Sequence, residues 1–391
     1  MKKWLGLFVL LFLITGLTAC GGEADEGTNQ ENGETDDKGK VSEISGPLTV
    51  NPDIPDMEVL DIGPNGEEAG SIKDLELSEE ELKEIKDGNY TAAIVMHYSG
   101  TDYMKAAVNA METTFEQMGI EVIAVTDANF SAETQVNNIE SVLAKDPDIM
   151  VSVPVDAEAT ASAYRRAVDQ GVKLVFMDGA ANGLEAGKDY ISIVTGDNYG
   201  NGVVAAELMA EQIGEEGKIG MLYHDVNFFV TRNRAEAFEE TILEKYPNIE
   251  IVAKEGFTDE NTGEAVGSAI LTRDGDIDGI FAPWDVPAEG VMSAVRTAGK
   301  ADQVVITTVD LGTNAAISIA ADGPIKGLGA QLPYDQGVAQ SMLGGYAVLD
   351  KEAPPYLVSP AIKVTKENVL ESWELIYGEE APQTVQDAMA Q

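Results

Sequence analysis

The chain has 391 residues with 25 Lys and Arg against 68 Asp and Glu, a formal net charge of −43 at pH 7. Such a surface repels every phosphate it approaches, which disfavours nucleic acid and anionic membrane surfaces as partners. With one cysteine, no internal disulfide can form. Stability must then come from apolar burial, for which the roughly 300 residues past the N-terminal segments suffice, as one two-lobed domain or two ordinary ones.

The chain begins "MKKWLGLFVLLFLITGLTAC". Two lysines precede an apolar stretch too short to span a bilayer comfortably, and small residues follow, so residues 1–19 read as a secretion signal. The "LTAC" ending resembles the lipobox of bacterial lipoproteins. That resemblance implies cleavage before Cys20, lipid on its thiol, and anchorage on the outer face of a bacterial cell membrane, outside the cytoplasm. No second long apolar segment follows. Residues 20–40 are acidic and lack large apolar side chains, which predicts a disordered tether. Residues 41–88 mix Pro, Gly and scattered apolar residues, and are expected to pack irregularly on the body or not at all. Within them "SEEELKEIKDG" reads as a short helix with an acidic first turn.

From Asn89 the pattern becomes regular. The runs "TAAIVMHY", "EVIAVTD", "DIMVSVPV", "VKLVFMD", "YISIVTGD", "KIGMLYHD", "IEIVAKEGF", "IDGIFAPWD", "VVITTVDLG" and "IKGLGAQ" are near-continuous apolar stretches, as strands buried on both faces require. Segments of helical period separate them. Met104, Val108, Met111, Phe115 and Met118 share one helix face and read as core, and Thr231 is placed to cap the helix that buries Phe238 and Ile242. The alternation predicts an α/β fold of doubly wound parallel sheets. About ten strands exceed what one open sheet usually carries, so two lobes are expected.

Ligands of such folds bind beyond the carboxyl ends of the strands, where helix N-termini converge. The strand ends here include "HYSGTDY", "DANF", "PVDAE", "DGAANG", "YHDVNFF", "PWDVPAE", "DLGTN" and "QLPYDQ", nearly all mixing an aromatic, an amide or a carboxylate. Carboxylates and amides suit vicinal hydroxyls while rings cover the apolar faces of a sugar. Enzymatic chemistry has weaker support. Asp178 and Asp310 are a carboxylate pair of the kind glycosidases use, if correctly separated. The two histidines, His97 and His224, lack a metal-ligand spacing, however, and neither a nucleophile elbow nor a phosphate-cradling glycine loop is present. No enzyme activity, cofactor or metal is expected.

From Asn89 to roughly Glu374 the chain resembles the type I periplasmic sugar-binding proteins, with ribose-binding protein the nearest pattern. "FMDG", "TGDNYGNG", "TRNRAEAF", "FAPWD", "TVDLG" and "AQLPYDQG" match that family's landmarks in order. The resemblance implies sugar-hydroxyl contacts from Asp178, Arg234, Asp310 and Gln331, and an aromatic wall at Tyr103. Other uses of these residues are an Arg234 ion pair with Glu236 or Glu240, and helix capping by Asp178 and Asp310. The chain departs from the family at Gly179, where an arginine is common, and at Val153 and Trp284, where asparagines are. Tyr98, Asp102, His224, Asp225 and Phe228 lie on loops that face the same cleft in this topology, and compensate. Trp284 is expected to be a ligand platform or a plug between sheet and helix, and Asp285 to grip a hydroxyl or anchor its loop.

The resemblance further implies one lobe of residues 89–197 and 332–359, a second of 198–331 and 360–391, and hinge crossings near Asp197, Gln331 and about Ser359. The implied protein is a monomer that closes over one neutral sugar or sugar alcohol and delivers it to an ABC permease. A ligand-binding sensor of the same fold is the alternative. Relatives of the lac repressor share the fold, but no DNA-binding helices precede residue 89 and the export signal argues against them.

Overall fold

The structure is a computed structural model and describes residues 46–390. The secretion signal, Cys20 and the acidic tether lie outside the described residues. Strands in chain order are β1 (Leu48–Thr49), β2 (Gly70–Ser71), β3 (Glu76–Leu77), β4 (Thr91–Met96), β5 (Glu121–Asp127), β6 (Ile149–Ser152), β7 (Lys173–Met177) and β8 (Ile193–Gly196). They continue with β9 (Gly217–His224), β10 (Ile249–Phe257), β11 (Gly279–Phe281), β12 (Val305–Val309), β13 (Ile325–Ala330), β14 (Tyr356–Ser359) and β15 (Ile362–Thr365). Each of the ten apolar runs contains a strand. The chain is α/β, with two separate parallel sheets.

The first sheet has the order β2-β14-β8-β7-β6-β4-β5 and every pairing in it is parallel. The second has the order β10-β9-β11-β12-β13-β15 and is parallel except for β15, which runs antiparallel to β13. Helices cover the faces, which is why the central strands are uniformly apolar: Ala92 to Met96 are all fully buried. Strand order reverses at β4 in one sheet and at β9 in the other; His97 and Tyr98 follow β4, and His224 ends β9. The chain passes between the sheets three times: between β8 and β9, between β13 and the helix Pro333–Val348, and between β14 and β15.

Residues before Thr91 depart from the sequence expectation. Rather than packing irregularly, they add β2 to the edge of the first sheet and form the β1–β3 ribbon, while the helix expected in "SEEELKEIKDG" is present at Glu79–Gly88, opened by a Ser78/Glu81 capping box. Val50, Ile54, Ile72, Leu75, Leu77 and Ile85 all join the core. The segment has too few apolar residues for a core of its own, and these six instead insert into the body, while Met57, Leu60 and Ile62 stay exposed. Gly345 makes room for two of them, since a Cβ there would stand 2.9 Å from Ile85 Cδ1 and 3.2 Å from Leu77 Cδ1.

Thr231 also differs from expectation. The helix Phe229–Lys245 begins two residues earlier with Phe228 at its N-cap, and the Thr231 hydroxyl lies 3.2 Å from His224 Nδ1. The methionine face behaves as core: Met104, Met111, Phe115 and Met118 are buried and Val108 packs against them.

Candidate ligand cleft

Loops from both sheets enclose a cleft of about 770 Å³. Its acidic residues are placed by backbone geometry. Asp178 and Asp310 follow β7 and β12, and their amides still donate to Val194 and Gly329 of the neighbouring strands. The chain then turns with φ of +63° at Asp178 and +71° at Asp310. That left-handed conformation costs a residue with a Cβ about 1–2 kcal/mol, less for Asp, and such outliers concentrate at functional sites. Neither residue is a helix N-cap, so the capping alternative does not hold.

A continuous polar network links these strand ends. The Thr195 hydroxyl donates to Asp178 Oδ1 at 2.7 Å and accepts from Asn198 Nδ2 at 2.9 Å. Asn198 Oδ1 accepts from Arg234 Nε at 2.9 Å, and Arg234 Nη1 donates to Asp310 Oδ2 at 3.0 Å and to the Pro283 carbonyl at 3.1 Å. Gln331 Nε2 completes the chain on Asp310 Oδ1 at 2.9 Å, leaving its buried Oε1 without a partner. Arg234 is thus not paired with Glu236 or Glu240. Asp178, Arg234, Asp310 and Gln331 all line the one cleft.

Electrostatics follow from burial. Desolvation pushes the Asp178 carboxyl up to about 6 against the opposing pull of Thr195 and Arg234, and raises Asp285 well above the usual carboxylate range with Asp310 nearby as a second cause. Burial lowers His97 and His224 to about 4, so both are neutral at pH 7. Arg234 is the single Lys or Arg on the cleft wall, facing Asp156, Asp178, Asp259, Glu260, Asp285 and Asp310.

Rings form the apolar walls. Tyr98 stacks on Phe130 with centroids 4.7 Å apart, and Phe130 meets His97 edge-on at 5.2 Å. On the opposite side Trp284 packs edge-on to His224 at 5.0 Å and against Phe257 at 5.1 Å. Trp284 is 9% exposed and its Nε1 donates to Glu260 Oε2 at 3.1 Å, so the indole both fills the gap behind it and shows an edge to the cleft. The two walls meet where His97 stacks on Phe228 at 5.7 Å. Tyr103 lines the cleft and is tied to the crossings through its hydroxyl, 2.5 Å from Gln336 Oε1, while Gln336 Nε2 donates to Ser359 Oγ.

Of the residues selected from sequence, Tyr98, Tyr103, Asp178, Phe228, Arg234, Trp284, Asp285, Asp310 and Gln331 line the cleft. Asp102 does not. Its carboxylate accepts from Thr313 at both the amide (3.0 Å) and the hydroxyl (2.7 Å), capping a helix of the opposite lobe. Asp102 is the first residue of its own helix, and Thr313 occupies its carboxylate. Asp225 is exposed and also stands outside the wall. Phe130 and Glu260 were missed. Phe130 sits in the quoted "DANF", where it and Asn129 both have positive φ; Glu260 follows the edge strand β10, and nothing in the sequence signals that an edge-strand loop folds back over the cleft.

Two doubly wound lobes joined by three crossings around one polar and aromatic cleft define a bilobal ligand-binding protein with the type I periplasmic binding protein fold. The chain belongs to the periplasmic binding protein domain family, which it matches over residues 76–352. It is 25% identical over 266 residues to the ribose import binding protein of Salmonella typhimurium, covering 67% of this chain and 87% of that one. It is 26% identical over 280 residues to the xylitol-binding protein of Mycolicibacterium smegmatis, covering 70% and 76%. Among solved structures, a periplasmic solute-binding protein of an ABC transporter from Actinobacillus succinogenes with bound D-allose superposes with a TM-score of 0.65 at 27% identity. That match covers 72% of this chain and 99% of the other. The chain is therefore a ligand-binding protein of this family and not an enzyme.

Proposed function

We propose that this protein captures a neutral sugar or sugar alcohol between its lobes and presents it to an ABC permease, as a monomer held to the membrane by lipid on Cys20. The convergence of Asp178, Arg234, Asp310 and Gln331 in one network carries the reading. Three of them hold each other in place, and Arg234 uses Nε and Nη1 on Asn198, Pro283 and Asp310. Nη2 then remains to donate to a ligand oxygen. Carboxylates take hydroxyl protons, and the Tyr98, Phe130 and Trp284 rings cover CH faces.

Closure completes the site. Contacts between the lobes at Asp102–Thr313 and His97–Phe228 form only when the lobes approach, and the shut cleft excludes water and strengthens each polar bond. Calorimetric titration against pentoses, hexoses and polyols tests the proposal. Saturable binding of an uncharged member is expected, and binding of charged compounds alone overturns it. For the anchor, Cys20→Ser is expected to release the protein into the medium; retention at the membrane counts against lipid.

A further inference from the structure

A second cavity of about 230 Å³ abuts the main cleft, and the two share Val155, Asp178 and Phe228 as walls. It exists because the loop after β7 carries no bulk. Gly179 lines it, and a Cβ built there meets nothing within 4 Å. The opposite wall comes from the other lobe through Asn227, Phe229 and Arg232, and a third wall from Pro64 and Asn65 of the N-terminal extension.

That third wall is fixed in place. Asp61 lies a few residues before it and is buried, with Oδ1 accepting from Asn233 Nδ2 at 2.8 Å. Its Oδ2 accepts from the Asn198 amide at 3.1 Å and the Tyr356 hydroxyl at 3.2 Å. The extension is thereby pinned to both lobes beside the crossings, and its loop roofs the second cavity.

We propose that this annex is a second sugar subsite, so that the ligand is a disaccharide or glycoside with one unit in the main cleft and its neighbour in the annex. The inference rests on the sugar-binding reading above and adds length to the ligand. Three observations set the class of the second unit. At the ~30 Å³ a water molecule fills in the liquid, 230 Å³ holds about eight water-sized groups, the scale of one sugar ring and not of a lone substituent atom. Charge on the walls balances, with Asp178 facing Arg232, whose guanidinium donates to Asn227 at 3.3 Å and pairs with no carboxylate among the described residues. Amides of Asn65, Asn182 and Asn227 supply the remaining polar groups, while Phe228 offers an apolar wall to both cavities, the mixture that suits an uncharged polyhydroxylated unit. Asp178, shared by the two cavities, stands where the glycosidic link would pass.

The test is calorimetric titration of the full-length protein with a panel of monosaccharides and the disaccharides built from them, repeated for Gly179→Arg and Asn182→Trp. Both positions are open, so folding is expected to survive and is checked by melting temperature. At least one disaccharide is expected to bind about tenfold or more tighter than either component sugar, and each variant to cut that ratio about tenfold. If every disaccharide binds no better than its component monosaccharide, or if neither variant moves the ratio, the annex is no subsite and single-sugar binding stands. If no sugar of either length binds, the sugar-binding reading falls as well.

Discussion

Arg234 and Asp310 form an ion pair at 3.0 Å in which the arginine side chain is 4% exposed and the aspartate 12%. Opposite charges this deeply buried are held by hydrogen bonds on every side, from Asn198, the Pro283 carbonyl and Gln331. Removing one partner strands the other, which in buried pairs costs about 3–5 kcal/mol. Arg234→Met is therefore expected to lower stability by that order in urea titrations and to abolish sugar binding. Adding Asp310→Asn should restore part of the stability and none of the binding.

Asp178 makes a pH-dependent contribution of the opposite sense. Burial raises its carboxyl to about 6, against roughly 3.9 in an unfolded chain. The folded state thus holds this proton more tightly, and stability is greatest below about pH 4, declines as pH rises through about 4 to 6, and is level beyond. Two pKa units correspond to at most about 3 kcal/mol. Asp178→Asn removes the titration, so the variant is expected to exceed the parent in stability at pH 8 and to lose that advantage near pH 4. A gap of equal size at both pH values, read from urea midpoints, would contradict the assignment.

Of the two tryptophans among the described residues, Trp284 lines the cleft and Trp373 is buried away from it. A ligand seated on the indole edge changes its surroundings, so sugar titration is expected to shift tryptophan emission. The shift should vanish in Trp284→Phe and persist in Trp373→Phe. Trp284→Ala removes a ring packed on His224 and Phe257 and is expected to cost about 3–5 kcal/mol of stability in addition to binding.

The bond between Asp102 and Thr313 joins one lobe to a helix N-terminus of the other. Loss of such a cap costs typically about 1 kcal/mol. Because the contact exists only with the lobes together, Asp102→Ala should weaken sugar affinity by roughly fivefold without altering which sugars bind. Small-angle scattering of the unliganded variant is expected to show a more extended particle than the parent. Unchanged scattering and affinity would make the contact incidental.

Much of this arrangement was legible in the sequence because parallel sheets write themselves plainly: ten apolar runs, each too hydrophobic to face water, with polar residues gathered where each run stops. Asp178, Asp310 and Gln331 were readable as the first polar residue past a buried strand. What sequence could not carry was the direction of a side chain after a turn. Asp102 and Tyr103 are neighbours, yet one caps a distant helix and the other enters the cleft. The short strands β14 and β15 went unread because a proline-punctuated four-residue strand has little periodicity, and the extension went unread ahead of its helix because its apolar residues answer a core that lies elsewhere in the chain.

The family match ends at residue 352, before β14 and β15, and begins at residue 76, after Val50, Ile54, Ile72 and Leu75. Trimming the gene to those limits would delete the strand beside β8, sever one crossing, and discard the buried Val364, Val369 and Trp373. The packed body extends beyond the family match at both ends. Truncations for crystallisation or display should keep Leu48 through Ala388.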